Sequence, residues 1–426
     1  MKFIASLLCA TLLAAQTLFA APFAYVTNTV DNTVSVIDIS TNMVVATIPV
    51  GHSPQDVALT PDGNYVYVTN LFNGSVMAID TATNTVTATI TGVFDALSIA
   101  ITPNGQFAYV VNQTPNTVTV INLNTNTVTT TITGFGGYPT GIAITPNGQF
   151  AYVTNVSTST VSVIDTSTNT ITATIPVGNQ PNQLAITPNG NFAYVTNIGS
   201  NNVSVINLNT NTVTATIPVE LQPYGIAITP NGQFAYVLNQ SSTTVSVIDT
   251  ATNSVAATIP LPASSTPENI AITADGNYGY VTYGNLNEVG IIDLSTNTVS
   301  GTTILVGNLP TGIATTFIPP SVSPVFQPFS FSGKIVSQQG KFKLKAQWLQ
   351  SISSNIIAYE IFAFDQLIAI VPSNAPLAFE KTLHPHNTHS HHWREKYQQY
   401  LNSKYKVRAV NSNNTRSEFT KLDVQI

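Results

Sequence analysis

The chain has 426 residues, of which 8% are charged and 43% hydrophobic, and its formal net charge is -6. Average soluble proteins carry about 25% charged residues, so Thr, Asn and Ser have replaced charge here, while the supply of Val, Ile and aromatics excludes a disordered chain. No Lys or Arg lies between Lys2 and Lys334 whereas thirteen Asp and Glu do, which excludes phosphate neutralisation, and with it nucleic-acid binding, over that stretch.

Residues 1–20 read as a secretory signal peptide, with Lys2 before the apolar residues 3–15 and Leu18, Phe19, Ala20 at the cleavage position. Cys9, the one cysteine, falls inside it, so the mature chain is expected to be exported, cysteine-free and without disulfides. No later apolar run is long enough for a membrane span.

From residue 21 the chain repeats. Tyr25-Val26-Thr27-Asn28 recurs from Tyr67, Tyr109, Tyr152, Tyr194, Tyr236 and Tyr280, at spacings of 42, 42, 43, 42, 42 and 44. Each copy holds four short segments rich in Val, Ile, Thr and Tyr, as at 142–145, 150–155, 160–165 and 170–175, which read as strands. Pro-Asp-Gly or Pro-Asn-Gly turns join the first two at Pro61, Pro103, Pro146, Pro188 and Pro230, and a Thr-Asn turn such as Thr168-Asn169 joins the last two. A four-stranded sheet recurring every 40 to 45 residues predicts a β-propeller. Small residues recur where innermost strands would crowd the axis: Ala58, Ala100, Ala143, Ala185, Ala227, Ala271 and Ala314. The mature chain opens on a second-type strand and the repeats end on a first-type one at 313–317, so one C-terminal and three N-terminal strands are expected to close a seventh blade. The fold class is therefore all-β, a seven-bladed propeller closed 1+3 and followed by a sandwich.

The motif resembles the YVTN-family β-propellers of exported and surface-layer proteins, over residues 22–317. The resemblance implies the fold strongly and the function weakly, because lactone hydrolases, haem and quinoprotein oxidoreductases and pure binding modules share this fold class. The copies depart from the motif at Val111, at Leu238 and in the seventh repeat, where Tyr283 replaces Asn and residues 261–268 hold an insertion.

Residues 318–324 form a Pro-rich linker. Residues 325–426 carry strand-like runs at 342–347, 358–364, 367–371 and 405–411, and resemble a fibronectin type III-like domain through Trp348, Tyr359 and the run from Tyr405 to Asn411; the resemblance implies a sandwich with Tyr405 as corner tyrosine. This region is basic, with twelve Lys and Arg against six acids, so an anionic envelope polymer is an expected partner. An insert at 384–404 holds His384, His386, His389, His391 and His392, with a short helix expected after them. Those imidazoles are the metal-like cluster of the chain, suited to zinc, nickel or copper, although their spacing matches no defined zinc motif.

In the propeller, the loops leading into the innermost strands should line one mouth of the channel, offering Gln55, Asp56, Asp95, Tyr138, Gln180, Gln183, Tyr224, Glu268 and Asn269. Asp56, Asp95 and Glu268 could form an acidic arc for calcium. The Asn of each motif is read as a side-chain to backbone bond, since a ligand site needs asymmetry. Catalysis is disfavoured: a nucleophile needs a base, the propeller has His52 alone, phosphorylated lactones would lack a cationic partner, and haem attachment through Cys is impossible in the mature chain. The expected function is a monomeric, exported binding or adhesion module recognising protein or glycan partners without catalysis. The alternative is a hydrolase acting on a non-phosphorylated lactone, or assisted by a metal, in the channel.

Overall fold

The computed structural model describes residues 22–316 with their side chains and, beyond them, the backbone of strands between Ser332 and Gln425. The expected signal peptide at 1–20 with Cys9, the expected linker at 318–324, Trp348 and the five clustered histidines lie outside the described residues. The chain divides into two compact units, Met1–Ile318 and Pro319–Ile426. The described secondary structure is all β, and no described helix is long and apolar enough to cross a membrane.

Each repeat folds as one antiparallel four-stranded blade, for example Pro139–Ile144, Phe150–Asn155, Thr160–Asp165 and Thr170–Pro176. Seven such sheets form the first unit. Closure is by strand pairing: Pro310–Thr315 lies antiparallel to Phe23–Asn28 and completes a sheet with Thr33–Asp38 and Met43–Pro49, so the last strand of the ring covers the edge that the first would otherwise expose. In the seventh blade the outer strand is split into Thr298–Val299 and Ile304–Leu305, which pair with the two ends of Glu288–Asp293.

Burial explains the residue pattern. The second and third strands are covered on both faces by neighbouring blades and are buried almost throughout, as continuous Val, Ile and Ala runs require. The outer strands alternate, with Thr outward. The repeated Ala of the innermost strand packs against the apolar clusters between blades, as Ala58 and Ala271 do.

Three motif residues do separate jobs. Each motif Tyr is at most 2% exposed, and its hydroxyl reaches the turn Asn of the next blade, at 2.6 Å for Tyr109 to Asn169 and 2.6 Å for Tyr194 to Asn253. Those Asn residues hold left-handed φ values of 55° and 52°, which Asn tolerates better than most residues. The motif Thr spans blades near the axis: Thr154 Oγ1 accepts from Gly141 N at 2.8 Å and donates to Asn182 O of the next blade at 2.6 Å. Val111 and Leu238 cannot do this, so two steps of that ring are apolar. The motif Asn bonds the hairpin mostly through side chains, as Asn155 Nδ2 donates to Thr160 Oγ1 at 3.1 Å and to Ser162 Oγ at 2.9 Å, and the expected bond to backbone is made at two positions, where Asn28 Oδ1 accepts from Gly307 N at 3.1 Å and Asn70 Nδ2 donates to Val68 O at 3.3 Å.

The seam between the last and first repeats uses the same clamp, Tyr280 to Asn42 at 2.6 Å. Tyr280→Phe is expected to lower stability by about 1 kcal/mol, the net worth of one hydrogen bond. Urea unfolding beside Tyr138→Phe, which alters an exposed ring, checks it; equal midpoints would remove the seam's claim on that bond.

The second unit contains two four-stranded sheets. One orders Ala378–Leu383, Lys341–Gln347, Ser332–Gln338 and Asp423–Gln425, and the other Gln366–Pro372, Ile356–Ala363, Tyr405–Asn411 and Thr420–Lys421.

Candidate functional site

Alternate hairpins of an antiparallel blade lie at opposite ends. The Pro-Asn-Gly and Thr-Asn turns therefore share one face of the propeller, here the turn face. The loops leading into the innermost strands and the hairpins after each motif Asn share the other, the loop face. The repeats scarcely differ on the turn face. They differ most on the loop face and just inside the channel, where the second and third residues of the innermost strands read Gln55-Asp56, Leu97-Ser98, Thr140-Gly141, Asn182-Gln183, Tyr224-Gly225, Glu268-Asn269 and Thr311-Gly312. A scaffold repeats its framework and varies its site.

A bulge sits at these pairs. The innermost strands slip register between their first and fourth residues, as between Pro54 and Val57, and the extra residue breaks the in-and-out alternation there. Residues from six of the seven pairs line a cavity of about 70 Å³: Gln55, Asp56, Leu97, Ser98, Asn182, Gln183, Tyr224, Glu268, Asn269, Thr311 and Gly312. Gly312 is required there: a Cβ would meet Gln55 O of the next blade at 2.6 Å.

Two carboxylates face this space with no cation beside them. Asp56 Oδ2 accepts from Ser98 Oγ at 2.8 Å and Ile99 N at 3.1 Å, and Oδ1 accepts from Val57 N at 2.8 Å. Desolvation still raises its pKa above the ordinary value, against those bonds. Glu268 accepts one bond, from Gln240 Nε2 at 3.0 Å, and burial pushes it up to about 7. Burial first, and the Glu268 charge second, push Tyr224 up to about 12, with the Asn182 amide pulling the other way. The arrangement suits holding protons and polar groups.

Of the residues expected at the channel mouth, the structure brings together Gln55, Asp56, Gln183, Tyr224, Glu268 and Asn269. Asp95, Tyr138 and Gln180 precede their innermost strands by one residue, at φ values of 48°, 50° and 53°, and sit on the loop face outside the cavity lining. Asp95 therefore does not join Asp56 and Glu268. Among the described residues no group of three or more His, Cys, Asp or Glu could hold a metal ion, so calcium gains no support. Leu97, Ser98, Asn182, Thr311 and Gly312 were missed, because period-two alternation cannot anticipate a bulge. His52 is exposed on a loop of the second blade, and among the described residues its hydrogen bonds run through its backbone alone, which gives the lactone-hydrolase alternative no support. On the turn face a cleft of about 380 Å³ lies between the second and third blades, lined by Asp62, Tyr65, Asn104 and Leu123 among others, but its turns recur almost unchanged around the ring.

The family model described as Cytochrome D1 heme domain matches residues 10–316. The chain belongs to the cytochrome D1 heme domain family. Among solved structures it is similar to a functionally unknown protein from Desulfotomaculum acetoxidans, with 23% identity over 69% of this chain and 98% of that one and a TM-score of 0.62. It is also similar to Kuenenia stuttgartiensis hydrazine synthase, with 22% identity, 61% and 89% coverage and a TM-score of 0.57. A third is the dihydro-heme d1 dehydrogenase NirN in complex with DHE, with 15% identity, 69% and 75% coverage and a TM-score of 0.55. At these identities the likeness is one of fold. No curated protein matches the sequence.

A cytochrome D1 heme domain implies haem, and the residues present do not fit one. Haem iron takes His, Cys, Met or Tyr as axial ligand, and Tyr224 is the sole such residue lining the cavity, its proton held up to about 12. Haem carboxylates want cationic partners, yet the propeller has neither Lys nor Arg. The 70 Å³ left between the side chains falls far below the roughly 300–1,000 Å³ of ordinary ligand pockets.

Proposed function

We propose that this is an exported recognition protein whose propeller keeps the family's fold, works without haem, and binds a macromolecular partner across its loop face. The observation that carries this reading is three aromatic side chains held in water on that face: Phe72, Phe94 and Tyr138 are 78%, 66% and 53% exposed. Hairpin and leading loop brace one another beneath them, with Phe72 N bonded to His52 O at 3.3 Å and Tyr138 N to Asn116 Oδ1 at 2.7 Å. Rigid aromatics among Asn, Ser and Thr are what protein or glycan recognition uses. Each blade is clamped to the next, so the loops are held ready for a partner at little entropic cost.

The basic second unit reads as a fibronectin type III-like sandwich. Support comes from its strand order, in which the runs beginning at Ile356 and Tyr405 are neighbours in one sheet. Its net positive charge suits attachment to an anionic envelope polymer. Family membership favours a redox reading, which no channel residue supports.

The whole protein, titrated with haem, is expected to develop no stoichiometric haem absorption band. Immobilised protein probed with purified envelope polysaccharides and secreted proteins is expected to retain a ligand that Phe72→Ser/Phe94→Ser/Tyr138→Ser no longer retains. A saturable haem band, or retention indifferent to those substitutions, would overturn the proposal.

A further inference from the structure

The thirteen carboxylates of the propeller divide by face, and the two groups behave differently. Seven lie on the turn face: Asp38, Asp62, Asp80, Asp165, Asp249, Asp275 and Asp293. Each accepts a backbone N–H of its own turn, as Asp165 Oδ1 does from Ser167 N at 2.8 Å. Such Asx turns account for those acids locally. The other six, Asp31, Asp56, Asp95, Glu220, Glu268 and Glu288, lie at the loop-face end of their blades. None of them caps such a turn. Asp31 is exposed and bound only by Asn308, at 2.8 Å from both backbone N and Nδ2, and those neutral donors leave it charged. No Lys or Arg is present anywhere in the propeller to offset the six.

The exposed apolar side chains of the loop face are interleaved with these acids. Val30, 61% exposed, precedes Asp31, and Phe94 precedes Asp95. Four exposed apolar tips lie over the first four blades, Val30, Phe72, Phe94 and Tyr138, joined by Leu309, 37% exposed on the loop into the first blade, while Leu221, 54% exposed, stands on the loop into the sixth. The fifth blade presents Asn179, Gln180 and Gly199, so a polar gap separates the patch from Leu221. Apolar anchors ringed by charge of one sign select a partner with apolar side chains and the opposite charge, which also speeds encounter.

Taking the recognition reading above as its basis, we infer that the loop face docks a basic, amphipathic segment of another protein, whose apolar side chains cover Val30, Phe72, Phe94 and Tyr138 while its Lys and Arg face Asp31 and Asp95. Neutral glycans would use the aromatics and leave the acids idle. The charge on this face is a recognition element under this reading.

The test uses the full-length protein and a synthetic amphipathic Leu/Lys peptide, with a Leu/Glu peptide of the same pattern as control, followed by calorimetry. The Leu/Lys peptide is expected to bind at one saturable site, more weakly as NaCl is raised, and the Leu/Glu peptide not at all. Phe72→Ser/Phe94→Ser/Tyr138→Ser is expected to weaken binding at least about tenfold, a loss typical of aromatic anchors. Asp31→Asn/Asp95→Asn, which keeps the side-chain shape, is expected to flatten the salt dependence while the aromatics still contribute. Equal binding of the two peptides, or salt dependence unchanged in the Asp variant, overturns the basic partner. If a neutral polysaccharide is retained through the three aromatics and the Leu/Lys peptide is not, recognition stands and this inference falls. If nothing depends on the aromatics, both fall.

Discussion

Stability is expected to fall as the pH rises from about 4.5 to about 7, and Glu268→Gln is expected to abolish most of that fall. The folded channel holds the Glu268 carboxyl protonated up to about 7, against an ordinary value of 4.5. Between those values the folded state binds more protons than the unfolded chain, so raising the pH favours unfolding. At most about 3 kcal/mol is at stake, at 1.36 kcal/mol per pKa unit, with solvent reaching the half-buried group reducing it. Asp56, also raised, adds a slope of the same sign. Turn acids act oppositely: hydroxyls of Ser40, Ser167 and Ser295 hold Asp38, Asp165 and Asp293 below the ordinary range, so their contribution disappears as the pH falls through those lowered values. Together the two groups put maximal stability near the acid side of neutrality. Urea midpoints across pH for wild type and Glu268→Gln decide it; parallel curves would mean that Glu268 is ionised and solvated in the folded protein.

Gly290→Ser alone should destabilise the protein by about 2 kcal/mol through overpacking, and Tyr283→Asn alone by about 2 kcal/mol through the void it leaves. In four other blades the motif Asn bonds the Ser seven positions on in the adjacent strand, as Asn28 Nδ2 does Ser35 Oγ at 2.9 Å. The seventh blade substitutes both at once: Tyr283 fills the space, and a Cβ on Gly290 would strike its hydroxyl. That hydroxyl is buried without a partner among the described residues, so the swap trades a hydrogen bond for apolar packing within the cluster of Leu238, Ile270 and Val281. The double variant restores the Asn–Ser pair and is expected within about 1 kcal/mol of wild type, a coupling of about 3 kcal/mol. Additive losses would show that the two positions are independent.

Much of the fold was legible because the forces that shape it act between near neighbours. The period, the Pro-Asn-Gly turns and the phase of the first strand predicted seven blades and their closure, and the strands lie where alternation put them. The second unit shows strands at the expected runs. The channel was legible only in part: Asp56 and Glu268 were picked out as channel residues, but with Asp95, which the bulge leaves on the rim.

The sequence by itself determined the blade count, the turns and the absence of any cation in the propeller, since each follows from composition or from residues a few positions apart. Only the tertiary structure decided which side chains meet at the axis, which acids lose their water and which blades clamp one another. The pairs responsible are remote: Asp56 bonds Ile99 forty-three positions on, and Tyr280 reaches back to Asn42. A residue's local pattern says whether it faces in or out, but the dielectric and the partners it meets there belong to the neighbouring blade.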